Sequence, residues 1–284
     1  MKKLLVAVDG SEANRAALDW AIREAERTGA SLTVAVAAEP WQVAGPYPPG
    51  APETDFVQPV ADRAVEAAGA RLGADRVVAE VHHGHSVRVI LDLAESHDAV
   101  VVGKRGLGAL RRVLIGSTSI AVAGRCPVPV FVIPDGWDPE AAAARPVLVG
   151  MDLDKEHDQA LERAFTEAEQ RGVGLQVLQG WQPHPLLVGE AGVAVDYYVE
   201  WQQDCRKSLE AYVARIGQGH PDVEVQVDQE LGHPVHLISD RAEQAQLLVL
   251  GRDAKERWSG FTLGSVARGV LHHAEVPVVI VPAG

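Results

Sequence analysis

The sequence has few cysteines, few aromatic residues and no long apolar run. Its 284 residues include only two cysteines, Cys126 and Cys205, and these form no C-x-x-C pair, which argues against a disulfide framework. No stretch approaches the ~20 consecutive apolar residues of a membrane span. The amino-terminal apolar run ends at Asp9, too early for a secretory signal. We therefore expect a cytoplasmic protein that does not enter a membrane.

Positive charge is also scarce. The chain carries 26 Lys and Arg against 39 Asp and Glu, a formal net charge of −13. A general nucleic-acid binder should show a basic face, and anionic membranes attract basic segments, so the composition argues against both partners. The acidic excess is smaller in the first half of the chain, which makes that half the better host for an anionic ligand.

What the chain does contain is an internal duplication. The segment "LLVAVDGSEANRAALDWAIREAERTGASL" aligns with "VLVGMDLDKEHDQALERAFTEAEQRGVGL", so that Asp9 corresponds to Asp152. Later, "IGSTSIAVAGRCPVPVFVIP" aligns with "LGSVARGVLHHAEVPVVIVP". Such self-similarity indicates two copies of one fold, and the length suits two domains. We predict domain 1 at residues 1–135, a linker at 136–145 and domain 2 at 146–284.

Each copy alternates strand and helix patterns. The predicted strands of the first copy are Leu4–Val8, Leu32–Ala37, Arg76–Val81, Val100–Val102 and Val128–Ile133. The predicted helices are Ala13–Thr28, Val60–Leu72, Val87–Glu95 and Ser117–Ala123, with a Pro/Gly-rich loop at Pro40–Pro59. Apolar strands separated by helices indicate parallel sheets covered on both faces. The predicted fold class is α/β, with two tandem Rossmann-like domains, each an open five-stranded parallel sheet.

A glycine- and hydroxyl-rich segment, "VVVGKRGLGALRRVLIGSTS", follows the fourth strand. Glycine allows close backbone approach to a ligand, and the helix that begins at Ser117 offers free N–H groups to an anion. The basic residues of this region, with no acidic residue between Ala99 and Pro134, are Lys104, Arg105, Arg111, Arg112 and Arg125. Two alternatives remain open: Ser117 merely caps its helix, and Asp9 or Ser11 merely caps the first helix.

The sequence resembles the tandem universal stress proteins over nearly its whole length. The resemblance is carried by "VAVDGSEANRAAL", by "GHS" at Gly84–Ser86, by "CPVPVFVIP", and by the spacing G-x-x-G-x9-G-S from Gly103 to Ser117. It implies an ATP site, with or without Mg²⁺, in which Ala37 lies near the adenine. The implied site residues of the first copy are Asp9, Ala37, Val102, Gly103, Gly106, Gly116, Ser117, Thr118 and Ser119. It also implies that the last strands of the two copies pair, giving an intramolecular pseudo-dimer.

The second copy departs from this pattern. It keeps a weaker candidate site at Asp152, Gly180, Gly251, Gly264 and Ser265. Ala254 replaces the glycine at the position of Gly106, and Val266 and Ala267 replace two hydroxyls. Asp253 and Glu256 add negative charge beside the presumed phosphates. We expect domain 2 to bind nucleotide weakly or not at all.

The expected function is that of an ATP-binding regulatory stress-response protein with little or no hydrolysis. No catalytic residue and no metal site is readable from the sequence. The expected partners are an adenine nucleotide and a protein, and the tandem chain admits a further homodimer. Two alternatives stay open: a nucleotide-free interaction module, against which the intact glycines of the first copy count, and an ATP-using enzyme on the same scaffold. Against the enzyme, "DGSEAN" lacks the S-G-G-x-D-S-like loop expected of pyrophosphatase-type relatives.

Overall fold

The computed structural model describes residues 1–11, 13–39, 54–106, 115–152, 158–181, 194–252 and 263–283. The strands are β1 (Lys3–Ala7), β2 (Ser31–Ala38), β3 (Val77–His83), β4 (Ala99–Gly103), β5 (Val130–Ile133), β6 (Val147–Met151), β7 (Leu175–Trp181), β8 (Val225–Leu231), β9 (Leu247–Gly251) and β10 (Val278–Val281). The helices are α1 (Ala13–Thr28), α2 (Thr54–Leu72), α3 (Ser86–Ala94), α4 (Ser117–Arg125), α5 (Pro139–Ala142), α6 (Asp158–Arg171), α7 (Ala194–Gly217), α8 (Pro234–Ala242) and α9 (Ser265–His273).

The strands form one sheet of ten in the order β3-β2-β1-β4-β5-β10-β9-β6-β7-β8. Strands within each half are parallel, and β5 and β10 pair antiparallel at the centre, with Val278 opposite Val132. Both central strands are buried along their whole length. Their pairing removes two apolar edges that would otherwise invite association. The predicted fold class, including the pairing across the copies, is confirmed.

Helices cover both faces of this sheet. Successive strand residues alternate between the two faces, so Leu4 and Val6 belong to one buried cluster and Leu5 to the other. The first cluster packs under α1, α2, α6 and α7, and the second under α3, α4, α8 and α9. Within the described ranges, no helix is both long and apolar enough to cross a membrane.

The predicted elements of the first copy match the observed ones with one exception. Strand ends shift by one or two residues, and α1 has the predicted bounds. The expected loop at Pro40–Pro59 is wrong at its carboxyl end, because α2 begins at Thr54 and contains Pro59. Pro59 is the sixth residue of α2, so α2 lacks the one backbone hydrogen bond that an N–H at this position would give to the carbonyl four residues earlier.

A buried ion-pair network also joins the two halves, between α1 and α6. Arg171 donates to Glu24 at 3.0 Å and to Glu167 at 2.9 Å, and Arg27 lies 3.3 Å from Glu167. Arg27 also pairs with Glu24, and Arg163 with Glu167 at 2.8 Å. Both carboxylates are almost fully excluded from solvent. Each half therefore supplies charges that the other half neutralises.

His220, which follows α7, is expected to make the stability of the fold depend on pH. Its ring stacks on Phe165, and its two nitrogens lie 2.9 Å from Glu169 and 3.1 Å from Glu162. Burial opposes the charged form, but the hydrogen bonds to Glu162 and Glu169 outweigh it and raise the pKa of His220. A raised folded-state pKa stabilises the fold below the unfolded value of about 6.5, and that stabilisation disappears as pH rises through the folded pKa.

We therefore expect the denaturant midpoint to fall between about pH 6 and about pH 9, more in the native chain than in the variant His220→Gln. Unfolding followed by circular dichroism at a series of pH values measures this difference. The variant His97→Gln is the matched control, because the ring of His97 contacts the carbonyl of Leu93 and the hydroxyl of Thr33 rather than a carboxylate. An identical pH profile for His220→Gln and the native chain would contradict the assignment.

Candidate functional site

A cavity of about 620 Å³ opens at the carboxyl ends of β1, β2 and β4. Strand β1 pairs with β2 on one side and with β4 on the other, so the order of the strands reverses between β1 and β4, although all three strands are parallel. Open α/β sheets bind ligands at such a switch point, because the loops after the two strands diverge and leave a crevice. All nine residues implied for the first copy line this cavity: Asp9, Ala37, Val102, Gly103, Gly106, Gly116, Ser117, Thr118 and Ser119.

Asp9 is fixed in place at the end of β1. Its Oδ1 atom accepts hydrogen bonds from Ser11 N at 2.9 Å and from Asn14 Nδ2 at 2.8 Å. Ser11 Oγ in turn accepts from Asn14 N at 3.3 Å, at the start of α1. The capping role considered for this loop is therefore real. It engages Oδ1 and leaves Asp9 on the cavity wall.

Gly103, which ends β4, and Gly106, three residues later, make room for the side chains of Asn14 and Asp9. A Cβ atom on Gly103 would lie 2.3 Å from Asn14 Oδ1, and one on Gly106 would lie 2.5 Å from Asp9 Oδ2. The G-x-x-G spacing thus lets the end of β4 close onto the residues that follow β1. Sequence reasoning assigned these glycines to ligand approach and missed Asn14. The sequence signal that could have found Asn14 is an asparagine in the first turn of α1, five positions after Asp9, and the structure shows it buried.

The amino terminus of α4 faces the cavity without a side-chain cap. Gly116 is the N-cap residue, so Ser117 is the first helical residue and makes no capping hydrogen bond. The first N–H groups of a helix have no acceptor within it, and they carry partial positive charge. Ser119 Oγ donates to the Gly103 carbonyl at 2.7 Å and so joins the start of α4 to the end of β4. Thr118 Oγ1 lies 3.4 Å from Ser86 Oγ.

The other side of the cavity is apolar. Ala35 and Ala37 of β2 line it together with Val89 and Ile90 of α3. Glu39, one residue beyond β2, accepts from Ser86 N at 2.8 Å and so ties the loop after β2 to the start of α3. Sequence reasoning missed Glu39, because its hydrogen bond to Ser86 spans 47 positions and leaves no local pattern.

The cluster of basic residues does not act as a unit. Lys104 is buried and donates to the carbonyl of Ala274 in the other half at 2.7 Å, and its burial lowers the pKa of the ammonium group. Arg252, its counterpart in the second copy, reaches back to the Cys126 carbonyl at 2.8 Å. Arg125 is exposed at the far end of α4. Arg111 and Arg112 lie outside the described residues. Of the three described residues of this cluster, Arg105 lines the cavity.

The candidate residues of the second copy lie at the corresponding edge of their own sheet. Asp152 follows β6, Gly180 lies in β7, and Gly251 ends β9. Gly264 is the N-cap of α9 and Ser265 is its first residue. Ala254, Asp253 and Glu256 lie outside the described residues.

One difference between the copies concerns the start of α3 and α8. Pro234 stands at the position of Ser86, and a Cβ on Gly180 would lie 3.1 Å from Pro234 Cα. Proline has no N–H, so the hydrogen bond that Ser86 gives to Glu39 has no equivalent from this residue. The space beyond β7 is therefore packed differently from the space beyond β2.

No group of three or more His, Cys, Asp or Glu residues that could hold a metal ion occurs in the part of the chain that the structure describes. At and just beyond the end of β3, His82 and His85 each lie near a glutamate side chain. His82 Nε2, for example, lies 2.9 Å from Glu80 Oε2.

The fold and the cavity define a class: a tandem α/β protein whose first half carries a crevice at the strand-order switch point. The sequence model of the Universal stress protein family matches residues 1–134 and 143–282. A universal stress protein of Mycolicibacterium smegmatis is 34% identical over 98% of this chain and 96% of its own length. One of Mycobacterium tuberculosis is 33% identical over 98% and 96%. The chain therefore belongs to the universal stress protein family.

A solved structure supports the fold as well. The crystal structure of a universal stress protein from Archaeoglobus fulgidus superimposes with a TM-score of 0.71 at 22% sequence identity. The match covers 99% of this chain and 96% of that one. The tandem arrangement of two domains is therefore shared along the whole chain.

Proposed function

We propose that this protein is a cytoplasmic regulator that binds ATP in the cavity of domain 1 and hydrolyses it slowly or not at all. The observation that carries the proposal is the two-sided character of the cavity. One side is the apolar wall of β2 and α3, and the other is the uncapped amino terminus of α4 beside a glycine turn. A nucleotide has the same two-sided chemistry, with a flat base at one end and anionic phosphates at the other.

The residues present fit such a ligand. A volume of about 620 Å³ lies within the roughly 300–1,000 Å³ typical of small-molecule sites. Ala37 and Val102 would contact the base and sugar, while Asp9 is placed to accept hydrogen bonds from ribose hydroxyls. Ser117 and Thr118 would meet the phosphates with hydroxyl and backbone N–H groups. Mg²⁺, where present, would neutralise phosphate charge.

The proposal includes regulation rather than turnover. Phosphoryl transfer needs a group that orients or deprotonates the attacking water. Of the two carboxylates on the described cavity wall, the proposal assigns Asp9 to the ribose hydroxyls, and Glu39 accepts a hydrogen bond from Ser86 N beside the apolar wall. Bound ATP would instead favour one arrangement of the turn from Gly103 to Gly106.

The first test is the nucleotide content of the purified chain. We expect protein prepared without added nucleotide, then denatured, to release about one adenine nucleotide per chain, because one of the two copies keeps the full motif. Chromatography of the supernatant against a measured protein concentration gives the ratio. A chain purified empty is titrated with ATP, which at 100 times the Kd should stabilise the fold by about 2.7 kcal/mol.

The outcomes separate the alternatives. About two nucleotides per chain would show that domain 2 also binds, contrary to the proposal. No released nucleotide, together with no binding at millimolar ATP, would overturn the proposed function and favour a nucleotide-free interaction module. Repeated turnover of added ATP at an ordinary enzymatic rate would favour the alternative of an ATP-using enzyme.

A further inference from the structure

We propose that Arg105 distinguishes ATP from AMP, and that Asp135 competes with the ligand phosphates for its guanidinium group. This inference rests on the proposed function and adds a residue that sets ligand preference. It starts from the charges around the cavity. Of the described residues that line it, Asp9 and Glu39 are acidic and Arg105 alone is basic. Among these described residues, a polyphosphate that enters the site meets one cationic side chain.

The neighbouring cation cannot take over this role. Lys104 points away from the cavity and is committed to the carbonyl of Ala274 at 2.7 Å, in a buried position. Moving Lys104 to the cavity would take this donor from the carbonyl of Ala274, a buried residue, which is costly. The side chains of Lys104 and Arg105 point in different directions. Lys104 therefore belongs to the interdomain contact, and Arg105 belongs to the cavity.

The guanidinium group of Arg105 is incompletely satisfied. Its Nε atom is buried and has no hydrogen-bond partner among the described residues. Its Nη1 atom lies 3.4 Å from Asp135 Oδ2, a distance longer than the 2.7–2.9 Å of a strong charged hydrogen bond. A phosphate group accepts from two guanidinium nitrogens at once, so it matches the fork of Arg105 better than this loose pair does.

The position of Asp135 in the fold allows it to compete with the ligand phosphates for the guanidinium group of Arg105. It follows β5 by two residues and begins the segment that leads through α5 to the second half. The Arg105–Asp135 pair is partly exposed, with 38% and 34% of the two side chains accessible. If a ligand phosphate replaced Asp135 as the partner of Arg105, Asp135 would lose this ion pair. Ligand binding would then change the contacts at the start of the interdomain segment. AMP, with one phosphate, would drive this exchange less than ATP.

The test compares ATP and AMP affinity by titration calorimetry at a fixed Mg²⁺ concentration. We expect Arg105→Gln to weaken ATP binding by roughly 10-fold to 30-fold and AMP binding by less than about 3-fold. Arg105→Lys should retain part of the ATP preference, because it keeps the charge and loses the fork. Asp135→Asn should strengthen ATP binding by about 2-fold to 5-fold by removing the competitor.

Arg125→Gln is the matched control, since it removes an exposed arginine of the same segment that does not line the cavity. Its ATP-to-AMP ratio should equal that of the native chain. Native protein that binds both nucleotides, with an unchanged ratio in Arg105→Gln, would overturn the role of Arg105 alone. Equal losses for ATP and AMP in both Arg105 variants would also overturn it, in favour of a structural role. Native protein that binds neither nucleotide would overturn the proposed function itself.

Discussion

The substitution Gly106→Glu is expected to reduce ATP affinity by at least about 100-fold, or about 2.7 kcal/mol, while the chain stays folded. Any Cβ at this position would lie 2.5 Å from Asp9 Oδ2. Asp9 cannot retreat freely, because its Oδ1 atom is held by Ser11 and Asn14. The glutamate would therefore displace the loop and place a second carboxylate beside Asp9, where a phosphate-bearing ligand would be repelled.

Two further variants grade this effect. Gly106→Ala introduces the clash without the charge, so we expect a loss of about 10-fold. Gly69→Ala is the control, because a Cβ at that helical position meets only Ala74 Cα at 3.8 Å. It should keep native affinity and gain roughly 0.5–1 kcal/mol of stability. Calorimetric titration with ATP and circular dichroism measure the two quantities. Native affinity in Gly106→Glu would remove this turn from the binding site.

The substitution Glu167→Ala is expected to lower the free energy of unfolding by roughly 3–5 kcal/mol, the largest stability effect we predict. Burial opposes ionisation of Glu167, but Arg171, Arg163 and Arg27 outweigh it and lower the pKa of this carboxyl. Burial likewise opposes the charge of Arg171, and Glu167 and Glu24 keep the pKa of its guanidinium raised. Removing Glu167 leaves three arginines that Glu24 alone cannot neutralise, at an interface where their side chains are 14–22% exposed.

The matched control is Glu210→Ala. Glu210 forms an exposed pair with Arg206 at 2.9 Å, and such surface pairs contribute about 0–1 kcal/mol. Urea unfolding monitored by circular dichroism compares the midpoints. Because the pKa of Glu167 is lowered, its contribution is present above the unfolded value of about 4.3 and disappears as pH falls through the folded pKa. A Glu167→Ala midpoint as close to native as that of Glu210→Ala would mean that the network does not hold the halves together.

The sequence by itself determined the repeated unit, the strands and helices, and the edge of the sheet where a site would lie. These follow from patterns between near neighbours in the chain: two-residue and 3.6-residue periodicities, and a motif repeated in the second half. The pairing of the last strands followed from the family resemblance, and two flat apolar strands bounded by prolines made it physically reasonable. The exception is the start of α2, which lies five residues before Pro59 rather than after it.

Only the tertiary structure decided which side chains meet. Asn14 and Asp9 explain Gly103 and Gly106, Lys104 serves the interdomain contact, and Glu24 faces Arg171 across the halves. Each of these contacts joins residues far apart in the chain, or selects one of two adjacent cations by the direction in which it points. Spacing along a sequence carries no information about that direction once the chain leaves a regular element. The different positions of Lys104, in the interdomain contact, and Arg105, on the cavity wall, therefore became visible only when β4 was placed between β1 and β5.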